Sequence, residues 1–170
     1  MQLGFVGAGN MAQAIIGGVL KAGLVDKEDI IASDVSEKTA AYVKEKLGIH
    51  TTLNNRDVAE ADIIFLAIKP VFCEQAVSDI RELVSEKQTV VSIVAGKTLE
   101  WLEEKFGGGK KIIRTMPNTP ALVGEAVTAV CPNERVTETE LKKVRNILDS
   151  FGKSEVISES IMDAVVAVSG

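Results

Sequence analysis

Short apolar runs alternate with amphipathic stretches along the whole chain. Leu3–Val6 and Ile30–Ser33 read as strands, as do residues 63–67, 89–94 and 111–114. Residues 50–53 form a weaker third strand, and residues 127–131 and 155–157 extend the series. Helical patterns fill the gaps. In Asn10–Lys21, Met11, Ala14, Ile15, Gly18 and Val19 share one face, and Gly23 follows. Ser36 is placed to cap a helix that runs to Leu47 and stops at Gly48. Residues 72–83 and 99–106 are helical, the second ended by Gly107, Gly108 and Gly109. Thr137 and Glu140 have the spacing of a capping box opening a helix to about Ser150, and residues 161–168 begin another. Strand–helix alternation of this kind predicts an α/β fold, a doubly wound, mainly parallel sheet with helices on both faces and right-handed crossovers. The uninterrupted apolar run 63–67 suits a central strand covered on both sides.

The first strand runs directly into Gly7-Ala8-Gly9-Asn10-Met11-Ala12, and a helical pattern begins at Met11. A G-x-G-x-x-G/A match carries weight only in this strand–turn–helix setting, where it marks a Rossmann-type dinucleotide site. Gly7 permits the tight turn, Gly9 lets the backbone approach a pyrophosphate, and Ala12 allows the helix to pack near the strand. Free N–H groups at the helix start then face the anion.

Composition narrows the remaining choices. A chain of 170 residues is one ordinary domain, large enough to bury a full core. With 46% hydrophobic and 25% charged residues it is globular, and a net charge of −5 with scattered Lys and Arg disfavours nucleic-acid or anionic-membrane partners. Cys73 and Cys131 are not closely spaced and read as two buried thiols in a reducing cytoplasm. Met1 and Gln2 lead straight into the first strand, which argues against a signal peptide, and no apolar run approaches the ~20 residues of a membrane span.

In an open α/β sheet, ligands bind beyond the carboxyl ends of the strands. The loops to examine are therefore residues 7–11, 33–36, 54–56, 67–70, 95–96 and 115–120. Asp34 either accepts bonds from ribose hydroxyls, repelling a 2′-phosphate, or caps the following helix. Ser33, Ser36, Lys38 and Arg56 could instead surround a phosphate with donors, so NADPH and NADH both stay open. Pro117 and Pro120 stiffen the loop carrying Asn118. That loop either holds Asn118 over the cleft near a nicotinamide carboxamide or is a rigid turn without ligand contact. Lys69-Pro70 has the same character, with Lys69 offering a cation near phosphate or ribose, or simply solvated. His50, the sole histidine, sits in the weak strand away from these loops. No His/Cys/Asp/Glu cluster has metal-ligand spacing, and no Walker loop, nucleophile elbow or catalytic triad is present.

Four stretches give the chain a specific likeness: residues 4–12, Ala67-Ile68-Lys69-Pro70, residues 114–121 (Arg-Thr-Met-Pro-Asn-Thr-Pro-Ala), and Met162-Asp163-Ala164 leading to Ser169-Gly170. They resemble the N-terminal part of pyrroline-5-carboxylate reductases. The third stretch is the most discriminating. The resemblance implies delivery of hydride from NADPH, with NADH an alternative, to the imine carbon of 1-pyrroline-5-carboxylate, giving L-proline. It implies Gly7, Gly9, Asn10 and Met11 at the pyrophosphate, and Ser33 or Asp34 with Asn55 near the adenine ribose. Ala67, Ile68, Lys69, Pro70, Ala95 and Gly96 should line the ribose and nicotinamide side, with Asn118 near the nicotinamide. No catalytic acid is assigned. The resemblance divides the chain into a dinucleotide-binding domain over residues 1–157 and, over residues 158–170, the start of a connection to a C-terminal helical domain. That domain would form the homo-oligomer and supply most substrate contacts. The 170 residues alone are then expected to be a cytoplasmic, monomeric cofactor-binding unit with little turnover. A non-catalytic nucleotide sensor, or a related two-domain NADP reductase or 3-hydroxy acid dehydrogenase, are the alternatives.

Overall fold

The computed structural model describes residues 1–169, with side chains through Val165. Gly170, the end of the fourth stretch above, lies outside the described residues. The strands are β1 (Leu3–Val6), β2 (Ile30–Ser33), β3 (His50–Thr52), β4 (Ile63–Leu66), β5 (Thr89–Ser92), β6 (Lys111–Met116), β7 (Ala126–Pro132) and β8 (Gly152–Val156). They form one sheet in the order β3-β2-β1-β4-β5-β6-β7-β8. The order reverses between β1 and β4, which makes that junction the switch point of a doubly wound sheet. The helices are α1 (Asn10–Lys21), α2 (Glu37–Leu47), α3 (Cys73–Ile80), α4 (Leu99–Lys105), α5 (Glu138–Asp149) and α6 (Met162–Ser169).

Strand side chains alternate between two cores. Leu3, Phe5, Ile63, Phe65, Val91 and Ile113 face α1, α2 and α5, where Ile15, Ile16, Val19, Val43, Ile147 and Leu148 cover them. Val6, Ile64, Leu66, Val90 and Ile112 face the other way, under Val77 and Ile80 of α3 and Leu102 of α4. Each central strand is thus buried on both faces, which accounts for runs with no polar alternation. The rings of Phe5 and Phe65 stack at 4.8 Å across β1 and β4, the pair beneath the switch point.

Two features add detail to the expectation of a mainly parallel sheet. The first is direction: β6 and β7 are antiparallel, with Arg114 opposite Cys131, and β8 is parallel to β7. A parallel crossover needs about a dozen residues or more, usually including a helix, and residues 117–125 supply only a 3-10 turn, Thr119–Val123. The chain therefore doubles back, and α5 makes the crossover between β7 and β8. The second is local: the helix expected over 72–83 starts as a 3-10 turn at Pro70–Phe72 and is α-helical only over Cys73–Ile80. The capping box of α5 is formed as read, by Thr137 and Glu140. Burial pushes the Glu140 carboxyl upward, but its bonds from Lys111 and Thr137 outweigh this and hold it below the usual range. The Lys111–Glu140 pair ties β6 to α5.

The Thr128 hydroxyl on β7 is buried without a hydrogen-bond partner among the described residues. Removing an orphaned buried hydroxyl while keeping its shape relieves a desolvation cost. Thr128→Val is expected to stabilise the chain by about 1 kcal/mol. Urea unfolding checks this, and a midpoint that falls instead would reveal a partner for the hydroxyl.

Candidate functional site

The strand-end loops meet along one edge, as the sheet rule requires. Val6 stands in register with Ser33 on one side and Leu66 on the other. Leu66 pairs with Ser92, and Ser92 with Arg114. Backbone bonds continue past the strand ends: Gly7 N–H donates to the Ser33 carbonyl at 2.9 Å, and Ala67 N–H to the Val6 carbonyl at 2.8 Å. The edge therefore brings together residues 7–11, Ser33, Asp34, Asn55, residues 67–70, Ala95, Gly96 and Asn118.

The glycine turn itself has two differently constrained positions. Gly7 has φ +97°, and a Cβ there would stand 2.4 Å from the Ala67 carbonyl oxygen, so only glycine fits. Gly9 has φ −71°, which any residue adopts, and a Cβ there would meet nothing within 4 Å. The protein does not require glycine at position 9, so the open space above it is the feature to explain. Gly9 is also the N-cap of α1 and makes no side-chain cap. By contrast α2, α4 and α5 are each capped by a hydroxyl, from Ser36, Thr98 and Thr137. An open, uncapped helix start at the switch point, with no Cβ in the way, fits a diphosphate accepting backbone N–H bonds.

The adenosine-side candidates are more committed. Ser33 is fully buried, and its hydroxyl donates to Asn55 Oδ1 at 2.7 Å. Asn55 Nδ2 in turn donates to Asp79 Oδ2 at 2.9 Å. Ser33 and Asn55 thus lie together at the end of β2, with these polar atoms bonded to protein. Arg56 donates to the Asp79 carbonyl at 3.3 Å. Asp34 accepts from Ala8 N–H at 3.1 Å through one oxygen and from Ser36 N–H at 2.9 Å through the other. Ser36, not Asp34, caps α2.

On the opposite side, Lys69 and Pro70 are exposed, Ala67, Ile68 and Ala95 are half-buried, and Gly96 has φ +72° with open space around it. Asn118 precedes the 3-10 turn Thr119–Val123, and its Oδ1 accepts from Val127 N–H at 2.9 Å. That bond occupies the amide oxygen, leaving the NH2 group as the donor. His50 starts β3, at the far end of that strand from Asn55. Burial raises Cys73 to about 11, against the pull of Lys97, and raises Cys131 as well, so neither thiol is a nucleophile near neutral pH. No group of three or more His, Cys, Asp or Glu able to hold a metal ion occurs among the described residues. A groove of about 730 Å³ runs along the outside of α1 past Gly17, Leu122 and Phe151, sharing only Asn10 with the turn.

Arg114 opens the third stretch, but sequence reasoning assigned it no role of its own. It is only 3% exposed, yet charged. Its guanidinium pairs with Glu159 at 2.9 Å and Asp163 at 3.0 Å. Glu159 Oε1 also accepts Leu99 N–H at 2.7 Å, in the first turn of α4. Met162, fully buried, plugs the same core from the start of α6. A charge directly after the apolar pair Ile112-Ile113 within a strand was the available signal, since a buried charge demands a partner.

Fold, switch point and open helix start together define a Rossmann-type dinucleotide-binding domain. The chain belongs to the family of NADP oxidoreductases described as coenzyme F420-dependent, which matches residues 2–96, from β1 to the loop after β5. It is 42% identical over 99% of its length to pyrroline-5-carboxylate reductase of Escherichia coli, and 36% to that of Methanosarcina acetivorans. In each case it spans 63% of the relative's length. Among solved structures it is similar to the Coxiella burnetii pyrroline-5-carboxylate reductase (TM-score 0.95, 32% identity, 99% of this chain and 63% of that one). It is also similar to the Plasmodium falciparum pyrroline carboxylate reductase with NADP bound (0.90, 33%, 100% and 62%). Prephenate dehydrogenase of Aquifex aeolicus, at 18% identity and TM-score 0.79, shares the fold alone.

Proposed function

We propose that this chain is the cofactor-holding unit of a pyrroline-5-carboxylate reductase that uses NADPH to make L-proline. The observation that carries the reading is the 42% identity over nearly the whole chain with the Escherichia coli enzyme. The NADP of the Plasmodium falciparum structure supports the choice of nucleotide. Bound NADPH would supply a hydride to the imine carbon, while a proton goes to the ring nitrogen. The chain's own part is binding and orientation. Gly9, Asn10 and Met11 present amides to the diphosphate at the start of α1. Ala67, Ile68, Lys69, Pro70, Ala95 and Gly96 line the ribose and nicotinamide side, and Asn118 offers its NH2 to the carboxamide. Ser33 and Asn55 brace the adenosine end from beneath. A protonated imine is already electrophilic, so no dedicated acid is assigned.

Residues 1–157 are the dinucleotide unit in this proposal, and residues 158–170 lead toward the part that completes the substrate site and the homo-oligomer in the longer relatives. A cytoplasmic location suits two free, buried cysteines. No helix among the described residues is long and apolar enough to cross a membrane. Calorimetric titration with NADPH and NADH tests the binding role, and the expected outcome is saturable binding with little reductase turnover by these 170 residues. Joining the chain to the remaining portion of the Escherichia coli enzyme should restore imine-dependent NADPH oxidation. Absence of binding to either nucleotide at millimolar concentration would defeat the proposal.

A further inference from the structure

We infer that Asp34 is a positioning residue for the glycine turn and not the group that chooses between NADH and NADPH; the inference rests on the dinucleotide reading above. An acidic residue closing the second strand ordinarily offers its carboxylate to the ribose hydroxyls. Here both oxygens are already engaged. One holds Ala8 N–H at 3.1 Å and the other Ser36 N–H at 2.9 Å, while the backbone N–H of Asp34 is anchored to the Thr52 carbonyl at 3.1 Å. Asp34 therefore joins three strand ends: the turn after β1, the turn after β2, and β3.

Three consequences follow from the chemistry. A carboxylate accepting two backbone N–H bonds is held by charge-assisted contacts, which a ribose diol would have to share or displace. Its charge is compensated by those amide dipoles and by the adjoining start of α2, which weakens its repulsion of a 2′-phosphate. Finally, Ala8 N–H points into the clamp and away from a diphosphate, so the amides of Gly9, Asn10 and Met11 remain for the anion. The clamp thereby fixes which amides bind, and it holds the turn in the positive-φ form that Gly7 at φ +97° permits.

Asp34→Ala should release Ala8. In the free protein, hydrogen exchange at the Ala8 amide should accelerate at least about tenfold. Affinity for NADH and NADPH should fall together, each by about tenfold, with their ratio held within about threefold. Asp34→Asn, which keeps one acceptor oxygen and loses the charge, should fall between wild type and alanine on both readouts, and it decides the matter if the alanine variant does not fold. A tenfold gain for NADPH with a loss for NADH would overturn the inference, as would unchanged exchange at Ala8. If wild type binds neither nucleotide, the functional reading fails, and exchange at Ala8 still decides the clamp.

Discussion

Gly9→Ala should weaken NADPH binding by at least about thirtyfold, roughly 2 kcal/mol, while leaving the fold intact. The two halves of that expectation come from separate observations. For the fold, Gly9 sits at φ −71° and ψ −174°, a region alanine occupies freely, and its Cβ would touch no protein atom within 4 Å. Alanine is a poorer N-cap than glycine, which costs about 0.5 kcal/mol, but it restricts the unfolded chain by a similar amount, and the two offset. For binding, the methyl group enters the space a diphosphate needs in order to accept the first-turn amides of α1. Gly7→Ala is the contrasting case. At φ +97°, with the Ala67 carbonyl oxygen 2.4 Å from the new Cβ, backbone meets backbone and cannot yield cheaply. A stability loss of about 3 kcal/mol is expected there. Thermal unfolding and nucleotide titration of both variants separate the roles. Unimpaired binding by Gly9→Ala would remove the diphosphate from the turn.

The contrast between these glycines is legible in the amino-acid sequence, because a strand, a turn motif and a helix start are local patterns. So is the sheet's binding edge, since each candidate loop follows an apolar run whose end is visible in the residues themselves. Strand direction is not legible in the same way. The run 127–131 looks identical whichever way it points, and only the shortness of 117–125 hints that the chain turns back. Asp34 is ambiguous for a physical reason: a carboxylate at that position serves equally to accept bonds from ribose hydroxyls or from backbone N–H groups at the start of the following helix. The 3.1 Å bond from Ala8 N–H is visible only in the folded chain. Arg114 is hidden because its partners lie 45 and 49 residues away in the chain. A local reading can register that a strand-borne charge needs compensation, but it cannot say which acid supplies it.

That compensation carries the second large effect, Glu159→Ala. Removing one partner of a buried pair leaves an uncompensated charge, typically a loss of about 3–5 kcal/mol. Two features reduce the figure here. Glu159 is itself 32% exposed, and Asp163, 83% exposed, remains to meet the guanidinium. One feature restores part of it, since Leu99 N–H also loses its acceptor at the start of α4. A net loss of about 2–3 kcal/mol is expected, a fall in melting temperature on the order of 4–12 °C for a chain of this size. Glu159→Gln keeps an acceptor for Leu99 while discarding the charge, so it should lose about half as much. Arg114→Met tests the other side: it removes the buried cation, and the carboxylates left behind can reach water, so it should be the mildest of the three. The order of the three midpoints in urea is the measurement. Were Arg114→Met the most damaging, packing of the arginine stem, rather than its charge, would be what fastens α6 to the sheet.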